Sequence, residues 1–530
     1  MYELAHSPLF APLHGLIPMI PVLPLLAAVW IALSYTFEGN RGEFGERLTA
    51  RVALLAGALS LIILLLVDLL ALLIGEAPGQ IRFGEWLSSG DYHIRISFTL
   101  DALGLSMATL VAAISLITLR FSVNYLHREA GFQRFFMALC LFMAGMLLIV
   151  MAGSAALAFV GWELAGVASY LLIGYALDRP TATTNATRAF VTNRIGDAGF
   201  VLALFLALFW IGDLEWPAIT DGVTGMSSLS AGLLGSGFLL AALVKSAQVP
   251  FSPWISRALE GPTPSSAVFY GSLMVHAGVY LLIRLQPVFE QTPLMMVVIL
   301  LFGLLTVAYG YLCTLVQTDV KSTLMFSTTA QVGLMFVECG LGLFELAAWH
   351  LAIHAIWRAY QFLLSPAHMH LMSRPTRAAP AWLRKRRWLF TAAINRFWLD
   401  PVSDWLLTHP TQQLARDTQE FDDRVIVPLV GMPARANAIS SLAQWQGRKG
   451  QPLPSSEGDV GQGMGLVGKL MEGIASMLHW FEEHLVLKGG GEGLINLIER
   501  LGSRLLRIEE LLAQPRYLLL LIMATFAVIL

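Results

Sequence analysis

Ala241-Ala242-Leu243-Val244-Lys245-Ser246-Ala247-Gln248-Val249-Pro250 places a lysine inside an apolar run that closes on a proline. The whole run, 231–249, has the length and composition of a membrane helix, which needs about 20 mostly apolar residues. A charge at bilayer depth costs at least about 2.5–3.5 kcal/mol, so an intramembrane lysine marks a functional position by default and needs a partner. Other apolar runs carry candidates: Glu163 in Gly161-Trp162-Glu163-Leu164, His276 in Val275-His276-Ala277, and His350, His354 and Arg358 along a third.

Composition fits this reading. The 530 residues are 56% hydrophobic and 13% charged, with mean hydropathy +0.66, values that belong to polytopic membrane proteins and not to soluble domains. A net charge of −2 gives no sign of nucleic-acid binding. Cys140, Cys313 and Cys339 lie in apolar segments without metal-type spacing and read as small core residues. The first residues lack the basic region of a cleavable signal peptide.

Working outward, apolar runs fall near 16–35, 52–75, 98–119, 134–153, 155–176, 195–212, 231–249, 264–285, 293–315, 323–342 and 346–370, and a short one closes the chain at 516–530. The fold class expected is an all-α polytopic membrane protein with about 11–12 transmembrane helices. Basic residues alternate between loops. Arg41, Arg47 and Arg51, then Arg120, Arg128 and Arg134, then Arg179, Arg188 and Arg194, then Arg257 and Lys321 fall on one side; Arg82, Arg95 and Arg284, with Asp213, Glu215 and Asp221, fall on the other. The bias puts the N-terminus outside and the segment after 370 in the cytoplasm of a multi-pass inner (cell) membrane protein. That segment, 371–515, opens with Arg384-Lys385-Arg386-Arg387, a cluster suited to anionic headgroups. It continues through a Pro/Gly/Ser linker at 448–465 to amphipathic patterns at 466–486 and 492–513.

The ionisable groups suggest a pathway. Glu163 with Lys245 forms a candidate gate, because burial readily shifts the proton affinity of a lysine. The plainer alternative is a static ion pair bracing two helices. His276 follows the breaker cluster Gly261-Pro262-Thr263-Pro264-Ser265-Ser266, and Pro250 and Pro253 interrupt the preceding helix. Broken helices at membrane depth often line ion sites. A histidine can relay protons near neutral pH, or merely bond a carbonyl. His350, His354 and Arg358 repeat at i, i+4, i+8 and share one helix face. Two histidines so spaced can bind zinc, but no HExxH glutamate accompanies them and a cation follows. An arginine cannot give up its proton, so Arg358 holds a field or pairs with an acid but does not relay. Asp319 and Asp101 read as helix caps. Nothing suggests a nucleotide or other cofactor.

The stretches Trp162–Gly174, Arg188–Asp197, Lys245–Phe251, Glu260–Ser266, His276–Tyr280 and Asp319–Gln331 resemble, in order, the antiporter-like subunits of complex I (NuoL type) and the Mrp antiporters. The resemblance implies a proton or cation channel gated by Glu163–Lys245, with His276 and the 350–358 helix as its relay. It implies inverted repeats with broken helices: N-terminal helices over 1–130, a first antiporter-like repeat over 131–290, and a second over 291–370. Where this chain has Arg358, such subunits usually carry lysine, and here the apolar runs stop near 370, so the second repeat reads as truncated. On that truncation and on His354-Ala-Ile-Trp-Arg358-Ala-Tyr-Gln361, the chain is most similar to the DabB subunits of DAB inorganic-carbon transporters. That finer resemblance implies a non-enzymatic subunit conducting H⁺ or Na⁺ through the lipid bilayer. It would energise CO₂ or bicarbonate uptake by a DabA-like zinc-binding partner, in which the carbonic-anhydrase-like chemistry would lie.

Overall fold

The computed structural model describes residues 13–37, 42–90, 92–371, 378–426, 429, 473–478 and 502–503. Most of 427–530 therefore lies outside the described residues, including the expected linker, nearly all of both amphipathic segments and the apolar run 516–530. The chain divides into two compact units, Met1–His409 and Pro410–Leu530. What is described of the second is mainly an exposed helix running to Phe421.

The first unit is helical apart from one hairpin. Helices α1 (Met19–Thr36) and α2 (Gly42–Ile74) precede strands β1 (Gly79–Ser89) and β2 (Tyr92–Leu100). Then come α3 (Ala102–Tyr125), α4 (Phe132–Met151), α5 (Ala155–Ile173), α6 (Pro180–Trp210), the short α7 (Trp216–Val223) and α8 (Ser228–Lys245). Beyond α8 the chain breaks into α9 (Pro253–Arg257), α10 (Thr263–Ser266), a π-helical turn Ala267–Ser272, a 3₁₀ turn Met274–His276 and α11 (Ala277–Arg284). The series ends with α12 (Gln286–Glu290), α13 (Pro293–Thr314), α14 (Val320–Gly340) and α15 (Phe344–Leu371). Among the described residues, nine helical stretches are long and apolar enough to cross a membrane. Helices α14 and α15 match them in length, at 21 and 28 residues, but carry a polar stripe.

Two expected boundaries move. The run 98–119 is not one span: β2 occupies residues up to Leu100, and Asp101 caps α3 by accepting Gly104 N–H at 2.8 Å. Helix α6 starts at Pro180, so Arg188 and Arg194 lie within it and not in a loop. Its polar first half stays helical because protein, not lipid, surrounds it: Asn185, Arg188, Thr192, Asn193 and Asp197 are all buried. Asp319 caps α14, accepting Ser322 N–H at 2.8 Å.

Helix packing depends on small residues. A Cβ on Gly145 would stand 2.8 Å from Ala165 N and 2.9 Å from Gly161 O, so α4 and α5 touch backbone to backbone. Such close approach is how membrane helices gain contact where lipid offers no hydrophobic contrast.

The two ends of the bundle differ. At one, β2 and the turns after α4 and α6 interlock: Gly153 N–H donates to Ser97 O at 2.8 Å and Trp216 N–H to Gly153 O at 3.0 Å. Glu215 is buried there, accepting from Ser97 Oγ at 2.8 and 3.0 Å and from Gln80 Nε2. Burial pushes its carboxyl above the ordinary range, with Ser97 and Arg82 pulling the other way. At the opposite, basic end, α16 (Ala381–Lys385), α17 (Arg387–Ile394) and α18 (Leu399–Ser403) are tied down. Arg188 grips Asp404 with two bonds of 2.6 and 2.7 Å, while Arg257 and Arg396 both donate to Asp400 at 2.9 Å. Arg396, Phe397 and Trp398 all sit in the left-handed region, at φ 51°, 56° and 54°, a strained turn held by those ion pairs.

Candidate ion-conducting site

The lysine that opens the sequence argument is the last residue of α8 and is 1% exposed. The helix stops there because Pro250 and Pro253 cannot extend it. Its freed backbone is satisfied inside the protein. Trp254 Nε1 donates to Val244 O at 3.0 Å, and Val249 N–H donates to Thr306 Oγ1 at 3.0 Å. Lys245 Nζ donates to Trp162 O at 3.2 Å and lies 4.8 Å from the centre of the Trp162 ring. A carbonyl and an aromatic face both favour a cation at that point.

Glu163, one residue beyond Trp162, does not bond Lys245. Its carboxylate is held by Arg194 Nη1 at 2.6 Å, and Arg194 Nη2 lies 2.8 Å from Asp197. The sequence reading expected a Glu163–Lys245 pair; helix α6, continuing through the assigned loop, inserts a second cation that takes the carboxylate. The two cations nevertheless converge. A Cβ built on Gly166, one turn after Glu163, would lie 3.5 Å from Arg194 Nη2 and 3.6 Å from Lys245 Nζ. Several polar atoms around this point are buried without a protein partner, among them Glu163 Oε1, Arg194 Nε, Asn193 Oδ1 and Gln248 Oε1. Each would cost about 1–3 kcal/mol if left dry, so this interior favours water.

The break after α8 packs directly on the His276 segment. Ser246 Oγ donates to Val275 O at 2.7 Å, and Gly278 leaves no room for a Cβ against Ala242 O. The π turn just before it is a common feature of functional sites in helices. His276 Nε2 and His354 Nδ1 are 3.0 Å apart, and Arg358 Nε donates to His354 Nε2 at 3.2 Å. Arginine only donates, which settles the row: His354 Nε2 accepts, so its proton is on Nδ1 and points at His276 Nε2. His276 then carries its proton on Nδ1, which is buried without a protein partner. Arg358 also donates to Gln361 Oε1 at 2.8 Å and to Ser327 Oγ. His350, one turn before His354, bonds Glu338 at 2.9 Å and Gln331 Oε1 at 3.0 Å, and its ring stands edge-on to His354 at 6.0 Å.

The six residues named from sequence therefore fall into two groups. Glu163 and Lys245 meet in the first, with Arg194 and Asp197. His276, His350, His354 and Arg358 meet in the second, with Ser327, Gln331, Glu338 and Gln361. Ser327, Gln331 and Glu338 form the α14 side of a zipper with α15, visible in sequence only as polar residues at helical spacing, and Gln361 lies on α15 itself.

Two family descriptions match this chain: "NADH:quinone oxidoreductase/Mrp antiporter, TM" over residues 152–379, and "NADH-Ubiquinone oxidoreductase (complex I), chain 5 N-terminus" over 86–136. By sequence the chain is similar to the antiporter-like membrane subunits. Both polar groups lie within the first matched range. Among its relatives, the chloroplastic NAD(P)H-quinone oxidoreductase subunit 5 of Nephroselmis olivacea is 36% identical over 68% of this chain. The NADH-quinone oxidoreductase subunit L of Mycobacterium tuberculosis is 35% identical over 67%. The chain spans 56% of the length of each. The fold is similar to a chain of the Mrp complex from Dietzia sp. DQ12-45-1b, with a TM-score of 0.59 and 19% identity over 97% of this chain and 62% of that one. It is also similar to a chain of the archaeal membrane-bound sulfane sulfur reductase, with a TM-score of 0.57 and 21% identity over 68% and 57%.

Proposed function

We propose that this antiporter-like subunit conducts cations, protons foremost, across the membrane as part of a larger complex of complex I or Mrp type. The observation that carries the reading is the convergence of Lys245 and Arg194 on Gly166, beside a Glu163 carboxylate that Arg194 holds through one oxygen while the other has no protein partner. With Arg194 holding Glu163, Lys245 rests on the Trp162 carbonyl. Transfer of Glu163 to Lys245 would stabilise the charged amine. Its return to Arg194 would free a proton to move through water to the His276–His354 pair. Arg358 ends the relay, because its N–H occupies the far nitrogen of His354. Lys245→Ala and Glu163→Gln are expected to leave insertion and complex assembly intact and to abolish ion flux in membrane vesicles. Normal flux in Lys245→Ala would refute the reading.

A second reading keeps the conduction and changes the coupling: flux energises inorganic-carbon uptake by a DabA-like zinc-binding partner. Its support is the segment His354–Gln361, where Arg358 closes the row against Ser327 and Gln361 in place of a relay lysine. Co-purification decides it. A carbonic-anhydrase-like zinc subunit would favour this reading, and a set of complex I or Mrp subunits would exclude it.

A further inference from the structure

Glu338 has no part in the pathway described so far. It stands in the apolar stretch Met335-Phe336-Val337-Glu338-Cys339 of α14, two residues before that helix ends at Gly340. A carboxylate in such a stretch is expensive unless it is paired or functional. Its partner is His350 on α15, with Nδ1 at 2.9 Å from one carboxylate oxygen and 3.2 Å from the other. The other ring nitrogen faces Gln331 Oε1 at 3.0 Å. Both nitrogens therefore meet oxygen acceptors, and the ring can carry two protons with each one bonded.

Position adds a second argument. Only residues 341–343 separate α14 from α15, so the pair lies at the end of the bundle that carries β1 and β2. His276 and His354 are buried, whereas His350 is partly exposed. Both nitrogens of each ring are already bonded, so a proton crosses the 6.0 Å between the ring centres of His354 and His350 when a ring turns, His350 Nε2 leaving Gln331 for a bridging water.

We propose that Glu338 and His350 form a proton port that joins the central histidine row to the aqueous phase at the hairpin end. The proposal rests on the conduction reading above. In the outward step, a doubly protonated His350 passes its Nδ1 proton to the Glu338 carboxylate. The ring is left neutral, and the carboxylic acid then releases the proton to water. Because Arg358 blocks the row at its other end, this port gives the histidine pair its own connection to bulk water, one that does not pass through Lys245.

Glu338→Gln separates the port from a merely structural pair. The amide oxygen can still accept from His350 Nδ1, but it cannot take a proton. In vesicles containing the full chain, Glu338→Gln is expected to assemble normally and to lose proton flux on the order of a hundredfold, the lower range for removing a proton-transfer group. Glu338→Asp should recover part of that flux. Glu338→Cys, with Cys140, Cys313 and Cys339 replaced by alanine, should be modified by a membrane-impermeant thiosulfonate from the hairpin face alone. Wild-type flux in Glu338→Gln together with lost flux in Lys245→Ala would overturn the port and leave the conduction reading standing. Wild-type flux in both would overturn the two together. Should Glu338→Gln fail to assemble, the cysteine decides: no modification from the hairpin face, or modification from the basic face alone, overturns the port.

Discussion

Gly166→Ala is predicted to stabilise the protein and to impair it. Gly166 lies inside α5, where alanine is favoured over glycine by about 0.5–1 kcal/mol. The new methyl group would meet Arg194 Nη2 at 3.5 Å and Lys245 Nζ at 3.6 Å, ordinary contact distances that require no rearrangement. Thermal stability should therefore hold or rise. Flux should fall for a separate reason. The Lys245 ammonium has three donors and one oxygen acceptor among the described residues, Trp162 O, so the remaining donors depend on water. A methyl in the space between the two cations removes a site for that water. The resting ammonium keeps Trp162 O, but a bond left unmet as the amine moves towards Glu163 costs about 1–3 kcal/mol, a barrier that slows flux by about fivefold to about 150-fold. The assay pairs thermal unfolding of the purified full chain with proton flux in proteoliposomes. Gly145→Ala is the contrast: its methyl would strike the α5 backbone at 2.8 Å, and overpacking of that kind costs about 1–3 kcal/mol of stability. A Gly166→Ala protein that conducts at the wild-type rate, or that unfolds as early as Gly145→Ala, would refute the argument.

Two further predictions concern protons held in place. Burial raises the Glu215 carboxyl in the folded chain above its ordinary value of 4.5, so the sign follows from which state ionises first. Below that value both states are protonated and nothing is lost. As the pH climbs above it, the unfolded chain ionises first, so the hairpin junction loses stability until the folded group ionises too. Amide-exchange protection of β1 and β2 should therefore decline from acid towards neutral pH, and Glu215→Gln should flatten the decline. Protection that rises with pH would contradict the assignment. For the histidine row, ¹⁵N spectra of histidine-labelled protein in bilayers should show His354 Nε2 bare and Nδ1 protonated. Arg358→Met should release that preference, and a wild-type His354 with its proton on Nε2 would overturn the deduced order.

Much of the site was legible because helical spacing is local. His350, His354 and Arg358 repeat every four residues, and α15 brings them to one face as that spacing requires. The caps at Asp101 and Asp319 were legible for the same reason, since an N-cap bonds within three residues. The β-hairpin was not, because the apolar end of β2 runs straight into α3 and reads as part of a span. Arg194 was misplaced because the polar first half of α6 looks like a loop until its protein surroundings are known. Glu338 went unmarked because its periodic partners on α14, Ser327 and Gln331, are uncharged and its ionisable partner, His350, lies on the next helix.

The sequence by itself determined that this is an all-α polytopic membrane protein, where the helix after Lys245 breaks, and that Glu163, Lys245, His276, His350, His354 and Arg358 stand in apolar runs. These properties follow from runs of side chains within one segment. Tertiary structure alone decided which charge meets which. Glu163 pairs with Arg194 and not with Lys245, although Lys245 also reaches the Gly166 face. The histidines take their proton order from Arg358, and His350 reaches Glu338 on the neighbouring helix. Those pairings depend on how helices are rotated and how closely they cross. Periodicity says which face of a helix is polar, but glycines such as Gly145, Gly161 and Gly278 set how near the next backbone comes.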